Sequence, residues 1–210
     1  MKFDVVVWDW DNTLLDSRRA AELALGDLAV ENGLPLPTES DIVNVIGSRR
    51  GEYWLKNYPD DVLKALHRYL DLYQGYAKTG VSLFPETEAV LSFIRQCGIP
   101  QLLASNKDQY IIDEEITRFR LKNYFEKIVG GQGVEVAKPS KAFADLVLGK
   151  EWPKRILMIG DGESDMNFAG TMGAYGLFVR PGNEGVSFPY DKRVQNLGEV
   201  FTFLKEVFKK

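Results

Sequence analysis

The chain has 210 residues, 45% of them hydrophobic, and 26 basic against 30 acidic side chains leave a net charge of −4. That supplies a real core, excludes a disordered chain, and argues against a general nucleic-acid binder, which needs a basic face. A single cysteine, Cys97, and a single histidine, His67, exclude an internal disulfide, a thiolate zinc cage and any multi-histidine metal site.

At the N-terminus, Asp4 and the short run Val5–Val6–Val7–Trp8 do not make an export signal. No apolar run approaches the roughly 20 residues that cross a bilayer. A cytoplasmic protein with no membrane partner is expected. Residues 3–8 are rich in β-branched and aromatic side chains and end abruptly in Asp9–Trp10–Asp11–Asn12–Thr13, which predicts a buried strand running into a polar loop. From 16 to about 80 the texture is helical. Leu23, Leu28 and Ala29 share one face of a helix that stops at Asn32–Gly33. Thr38 with Asp41 resembles a capping box opening a second helix, and a third stretch spans 61–76. Phe84–Pro85 breaks this pattern, and strands and helices then alternate. Helix is expected over 86–96, strand over 99–104, helix over 108–118 and strand over 127–129. Helix 139–148, strand 155–159, helix 164–172 and strand 175–179 follow, and an amphipathic helix carrying Leu197, Val200, Leu204 and Phe208 closes the chain. Such alternation with near-continuous apolar strands predicts an α/β fold with a doubly wound parallel sheet. The helical block interrupts it, which divides the chain into a core (1–15 and 84–210) and an inserted α-helical cap (16–83).

In an open parallel sheet, ligands bind at the carboxyl ends of the strands. There the sequence places Asp9, Asp11 and Thr13 after the first strand, and Ser105, Asn106 and Lys107 after the second. Gly130 and Gly131, then Lys138–Pro139, follow the third, and Gly160 through Asp165 the fourth. Carboxylates, a hydroxyl and a lysine converge on one edge, without histidine. Such an oxygen-only set suits Mg²⁺ rather than zinc. Two carboxylates one residue apart suit phosphoryl transfer, one as nucleophile and the other trading a proton.

These segments resemble the four motifs of the haloacid dehalogenase superfamily, in that family's order: Asp9–Trp10–Asp11–Asn12–Thr13, Leu103–Ala104–Ser105–Asn106, Lys138–Pro139, and Gly160–Asp161 through Asp165. The resemblance covers essentially the whole chain, and the helical insert is similar to the cap of the phosphoglycolate phosphatase-like subfamily. It implies a Rossmann-like core and an aspartyl-phosphate mechanism on a small phosphorylated metabolite, phosphoglycolate or a sugar phosphate, by a monomer or homodimer. Asp9 would be the nucleophile and Asp11 the acid and base. Ser105, Asn106, Lys138 and Thr13 would serve the phosphoryl group. Mg²⁺ would be bound by the side chains of Asp9 and Asp161 and the carbonyl of Asp11, with Asp165 supporting from behind. Asn12 stands where the subfamily usually has glycine, and Asn tolerates a left-handed backbone best among the other residues.

Each motif alone has an ordinary explanation: two solvated carboxylates, a turn, a helix start. Their order and strand context together favour catalysis. Arg49 and Arg50 read as solvated helix-end charges, with binding of a substrate's distal anion as the sharper alternative. His67 and Cys97 read as surface or packing residues, and Trp10, Tyr53 and Trp54 as core. Glu163 is a weaker metal candidate than Asp161. Two other functions share these residues: a phosphomutase reusing the same aspartyl-phosphate, and a non-catalytic phosphate-binding regulator.

Overall fold

The computed structural model describes residues 2–46, 50–131 and 136–208. In chain order the elements are β1 (Val5–Trp8), β2 (Leu15–Asp16), α1 (Arg18–Glu31), α2 (Glu39–Ile46), α3 (Arg50–Asn57), α4 (Val62–Gly80), β3 (Ser82–Leu83), α5 (Thr87–Gln96), β4 (Gln101–Asp108) and α6 (Gln109–Arg118). A 3-10 turn, Lys122–Tyr124, leads to β5 (Lys127–Gly131), α7 (Lys141–Leu148), β6 (Ile156–Gly160), α8 (Glu163–Met172), β7 (Tyr175–Val179), β8 (Lys192–Val194) and α9 (Leu197–Phe208). The chain divides into two compact units, Met1–Leu15 with Leu83–Lys210, and Asp16–Ser82. Among the described residues no helix is long and apolar enough to cross a membrane.

The larger unit is built on a six-stranded parallel sheet in the order β5-β4-β1-β6-β7-β8. All four residues of β1 are buried because both faces are covered. Val5 and Val7 pack with Phe143 of α7 and Phe168 of α8 in one apolar core cluster. On alternate positions, Trp8 donates its indole N–H to Gln101 at 3.0 Å, and Gln101 in turn donates to the Leu91 carbonyl of α5. The strand order reverses beside β1, between β4 and β6, and that is where an open α/β sheet leaves a crevice.

Several boundaries differ from those the sequence predicts, and two of the differences have a clear physical reason. The second long strand runs on through Ser105–Asp108 instead of ending at Ala104, with a register irregularity between Ala104 and Asp108. Polar side chains read as loop, but Gly130 and Gly131 let two backbones close up. A Cβ on Gly131 would lie 2.8 Å from the Asn106 carbonyl oxygen, and one on Gly130 2.7 Å from Gln109. The helix expected from Pro139 begins at Lys141, because Ser140 caps it by accepting the Phe143 N–H at 3.2 Å. The strands β2, β3 and β8 and the helix α3 are additional to the expected elements.

The smaller unit consists of α1 to α4. Ala20, Ala21, Ala24, Leu25 and Leu28 form the buried face of α1, and α1 packs along α4. Thr38 and Asp41 do form a capping box: Thr38 N–H donates to the Asp41 carboxylate at 2.9 Å, and Asp41 N–H to the Thr38 hydroxyl at 3.2 Å. Tyr53, Trp54, Tyr58, Tyr69 and Tyr73 make an aromatic cluster with successive ring centroids 5.1–6.4 Å apart.

Candidate active site

Asp9 leaves β1 in phase with Val5 and Val7 and is 5% exposed. The turn that follows brings Thr13 back, so that its hydroxyl donates to Asp9 Oδ2 at 3.0 Å. That turn depends on Asn12, whose φ of +58° is left-handed. Leu14 and Leu15 both donate backbone N–H bonds to the Trp10 carbonyl, which locks the loop.

The end of β4 positions Lys138. Asn106 Oδ1 accepts the Lys138 backbone N–H at 2.8 Å, bridging segments 32 residues apart. The fully buried Lys138 ammonium then reaches Asp9 Oδ1 at 2.5 Å and also pairs with the Asp165 carboxylate. Asp165 is fixed from its other oxygen, which accepts the Gly162 N–H at 3.0 Å at the start of α8. Gly160 makes room for it: a Cβ there would sit 2.4 Å from the Asp165 side chain. Half-buried Asp161 completes the group. Asp9, Asp161 and Asp165 each offer a carboxylate oxygen, all within 4.8 Å of one another. Glu163 is not in this group, among the described residues.

Burial, and then the neighbouring Asp165 charge, push the Asp9 carboxyl up to about 7, against the opposing pull of Lys138. Asp161 is raised well above the ordinary carboxylate range by burial and by the charges of Asp9 and Asp165. Burial alone would lower the Lys138 ammonium, but Asp165 and Asp9 outweigh it and hold the group above its usual value. Three carboxylates around one ammonium leave two negative charges uncompensated when all are ionised. An all-oxygen group with that charge fits a hard divalent cation such as Mg²⁺.

Asp11 lies in a different environment. Its Oδ1 pairs with Lys107 Nζ at 2.5 Å, and the same ammonium contacts Glu115 of α6 at 2.9 and 3.1 Å. Glu115 is 4% exposed and also accepts the Trp10 indole N–H at 2.7 Å. Buried Ser105 accepts the Lys107 backbone N–H at 3.1 Å. Asp9, Thr13, Asn106, Lys138, Asp161 and Asp165 are therefore brought together, with Asp11 and Ser105 joined through Lys107. Glu115 escaped the sequence reading, although it carried a signal. It falls in the apolar stripe Ile111, Ile112, Ile116, where an unpaired charge would not be stable.

In the smaller unit, Arg49 lies outside the described residues. Tyr53 and Trp54 are buried in the aromatic cluster, His67 is exposed and Cys97 of the larger unit is half-buried.

Residues 6–179 match the haloacid dehalogenase-like hydrolase family. A phosphoglycolate phosphatase from Yersinia pestis is 32% identical over 180 residues, covering 80% of this chain and 77% of that protein. A haloacid dehalogenase-like family hydrolase from Streptococcus pneumoniae has the same fold at a TM-score of 0.79 and 19% identity, over 96% of this chain and 98% of that one. A chain provisionally named beta-phosphoglucomutase, from Thermotoga maritima, follows at 0.75 and 22%, over 99% and 100%. At those identities the two structures speak for the fold alone.

Proposed function

Because the chain belongs to the haloacid dehalogenase-like hydrolases, we propose that it is a Mg²⁺-dependent phosphatase that hydrolyses a small phosphomonoester through an aspartyl-phosphate. The observation that carries this reading is the largely buried group of Asp9, Asp161 and Asp165 around Lys138, at the switch point of the sheet.

Asp9 is the nucleophile. One of its oxygens forms a bond to phosphorus while the bond from phosphorus to the leaving oxygen breaks, and Asp11 gives that oxygen a proton. Water then attacks the acyl phosphate. Asp11 takes the water's proton, inorganic phosphate departs, and the Asp9 carboxylate is restored. Lys138, Ser105, Asn106 and Thr13 hold phosphoryl oxygens or Asp9 itself, and Asp165 keeps Lys138 in place. Bound by the Asp9 and Asp161 side chains and the Asp11 carbonyl, Mg²⁺ would supply charge compensation to the carboxylates and the phosphate.

The identity to a phosphoglycolate phosphatase favours phosphoglycolate as substrate, ahead of a sugar phosphate. The reading assigns the protein to the cytoplasm, as a monomer or homodimer without nucleic-acid or membrane partners. Residues 16–82 act as a cap that excludes water before transfer.

A panel of phosphomonoesters assayed for inorganic phosphate tests this. Release with Mg²⁺, loss with excess EDTA and recovery on adding Mg²⁺ back are expected. Full activity in EDTA would overturn the metal-assisted mechanism. Interconversion of sugar phosphates without phosphate release would make the protein a mutase, and inertness toward the whole panel would leave a phosphate binder.

A further inference from the structure

We infer that Glu115 and Trp10 are positioning residues for the acid/base step: through Lys107 they hold the Asp11 carboxylate in its working orientation. The inference rests on the phosphatase reading and concerns a part of the site distinct from the nucleophile's group.

The contacts form a closed ring. Trp10 and Asp11 are neighbours in the loop after β1. The Trp10 indole donates to Glu115 Oε2 at 2.7 Å, and both Glu115 oxygens lie 2.9–3.1 Å from Lys107 Nζ. That ammonium sits 2.5 Å from Asp11 Oδ1, which returns the ring to the loop. Its members are nearly dry: the side chains of Lys107, Asp11 and Glu115 are 10%, 13% and 4% exposed, and Trp10 is fully buried. A surface ion pair of this composition would hold nothing in place. Buried charges with bidentate and indole partners behave differently. Removing one leaves its neighbours uncompensated, so the geometry is strongly enforced.

Chemical need matches the placement. Asp11 must meet an oxygen only while that oxygen is leaving phosphorus, and then a water molecule, so its orientation limits both steps. Asp9, by contrast, is oriented by Thr13 and Lys138 and does not use the ring. Loosening Glu115 should therefore impair proton transfer while sparing nucleophilic attack. A residue that only stabilises the fold would reduce both alike.

The test compares kcat/KM for two substrates, because that ratio covers leaving-group departure. One is 4-nitrophenyl phosphate, whose leaving group needs little protonation. The other is the best alkyl phosphomonoester from the panel. Glu115→Gln keeps the shape and an acceptor for Trp10 but removes the charge that holds Lys107. Its kcat/KM should fall about 10- to 100-fold on the alkyl ester, the scale of a misplaced catalytic group, with little change on the nitrophenyl ester. Lys107→Met should show the same selectivity. A ratio of two substrates on one preparation does not depend on the folded fraction, so partial unfolding does not mask the result. Adding Glu115→Gln to Asp11→Asn should cost nothing further on the alkyl ester. Equal losses on both substrates, or an undiminished loss in the Asp11→Asn background, would overturn the inference while leaving the phosphatase reading intact. A wild-type protein inert toward every phosphomonoester would overturn both.

Discussion

Asp9 and Asp11 carry the same functional group two residues apart, in different surroundings, and the proposed mechanism gives them different work. Asp9 sits against Lys138 and Thr13, Asp11 against Lys107. Asp9→Asn removes the proposed nucleophile and should abolish turnover of every substrate. Asp11→Asn should lose about 10²–10⁴-fold on an alkyl phosphate, the range of general acid catalysis, and far less in the first step with 4-nitrophenyl phosphate. Labelled phosphoenzyme should accumulate in Asp11→Asn and be absent from Asp9→Asn; identical behaviour of the two variants would refute the division of roles. The proposed metal site has its own pH signature. The Asp9 carboxyl, at about 7 in the folded protein against an ordinary 3.8, keeps its proton where the unfolded chain has lost it. Its contribution to stability is thus complete below about 3.8 and disappears as pH rises through about 7. Binding Mg²⁺ requires the ionised form, so apparent affinity should be at least about tenfold weaker at pH 6 than at pH 8, and steeper still because Asp161 must also ionise, with protons released at the lower pH. Calorimetric titration in two buffers reads both, and a pH-independent affinity without proton release would contradict the assignment. At this scale the sequence was informative wherever chemistry needs particular residue types in order, as with Asp9, Lys138 and Asp161. Even Asn12 declared its left-handed backbone. Glu115 gave only an indirect sign, a carboxylate within an apolar stripe, because its partners Trp10 and Lys107 are 105 and 8 residues away and only the folded sheet joins them.

Elements were legible where apolar periodicity decides them and obscure where backbone pairing does. The alternation after Phe84 and the parallel sheet follow from buried runs such as Ile156–Gly160. The extra length of β4 does not, since Ser105–Asp108 look like loop and pair only because Gly130 and Gly131 are bare. The three-residue strand β8 was too short to show a period. Helix α8 illustrates how an element serves the site. Its first turn presents Gly162 N–H and Asp165, and the end of β6 must be glycine for Asp165 to fit. Gly160→Ala should destabilise the protein by about 1–3 kcal/mol, the usual cost of overpacking, and weaken Mg²⁺ binding with it. Gly170, exposed on the same helix, has open space where a Cβ would stand, with no neighbouring atom within 4 Å, so Gly170→Ala should instead stabilise by about 0.5–1 kcal/mol. Urea denaturation of the pair checks both signs, and a Gly160→Ala protein as stable as the wild type would mean that Asp165 is not held as rigidly as its contacts require.

The whole molecule is a sheet that builds the site and a helical unit, Asp16–Ser82, inserted after the first strand. Both ends of the insert are anchored at one place in the core. The Leu14 carbonyl accepts the Phe84 N–H at 3.1 Å and the buried Thr87 hydroxyl at 2.8 Å. On the reading proposed above the insert moves as a cap, and the chemistry gives that motion a use. Phosphoryl transfer to Asp9 benefits from a dry site, and hydrolysis of the acyl phosphate then needs one water admitted, so a cap that closes and opens serves both halves of the cycle. Small-angle scattering of the full chain should therefore show a smaller radius of gyration with Mg²⁺ and vanadate, a phosphate analogue, than with Mg²⁺ alone. The same comparison on Asp9→Asn, which cannot bond to vanadium, should show a weaker response. A radius that never changes with the analogue, in protein that demonstrably binds it, would mean that the insert does not move as a lid and that water is controlled within the core itself.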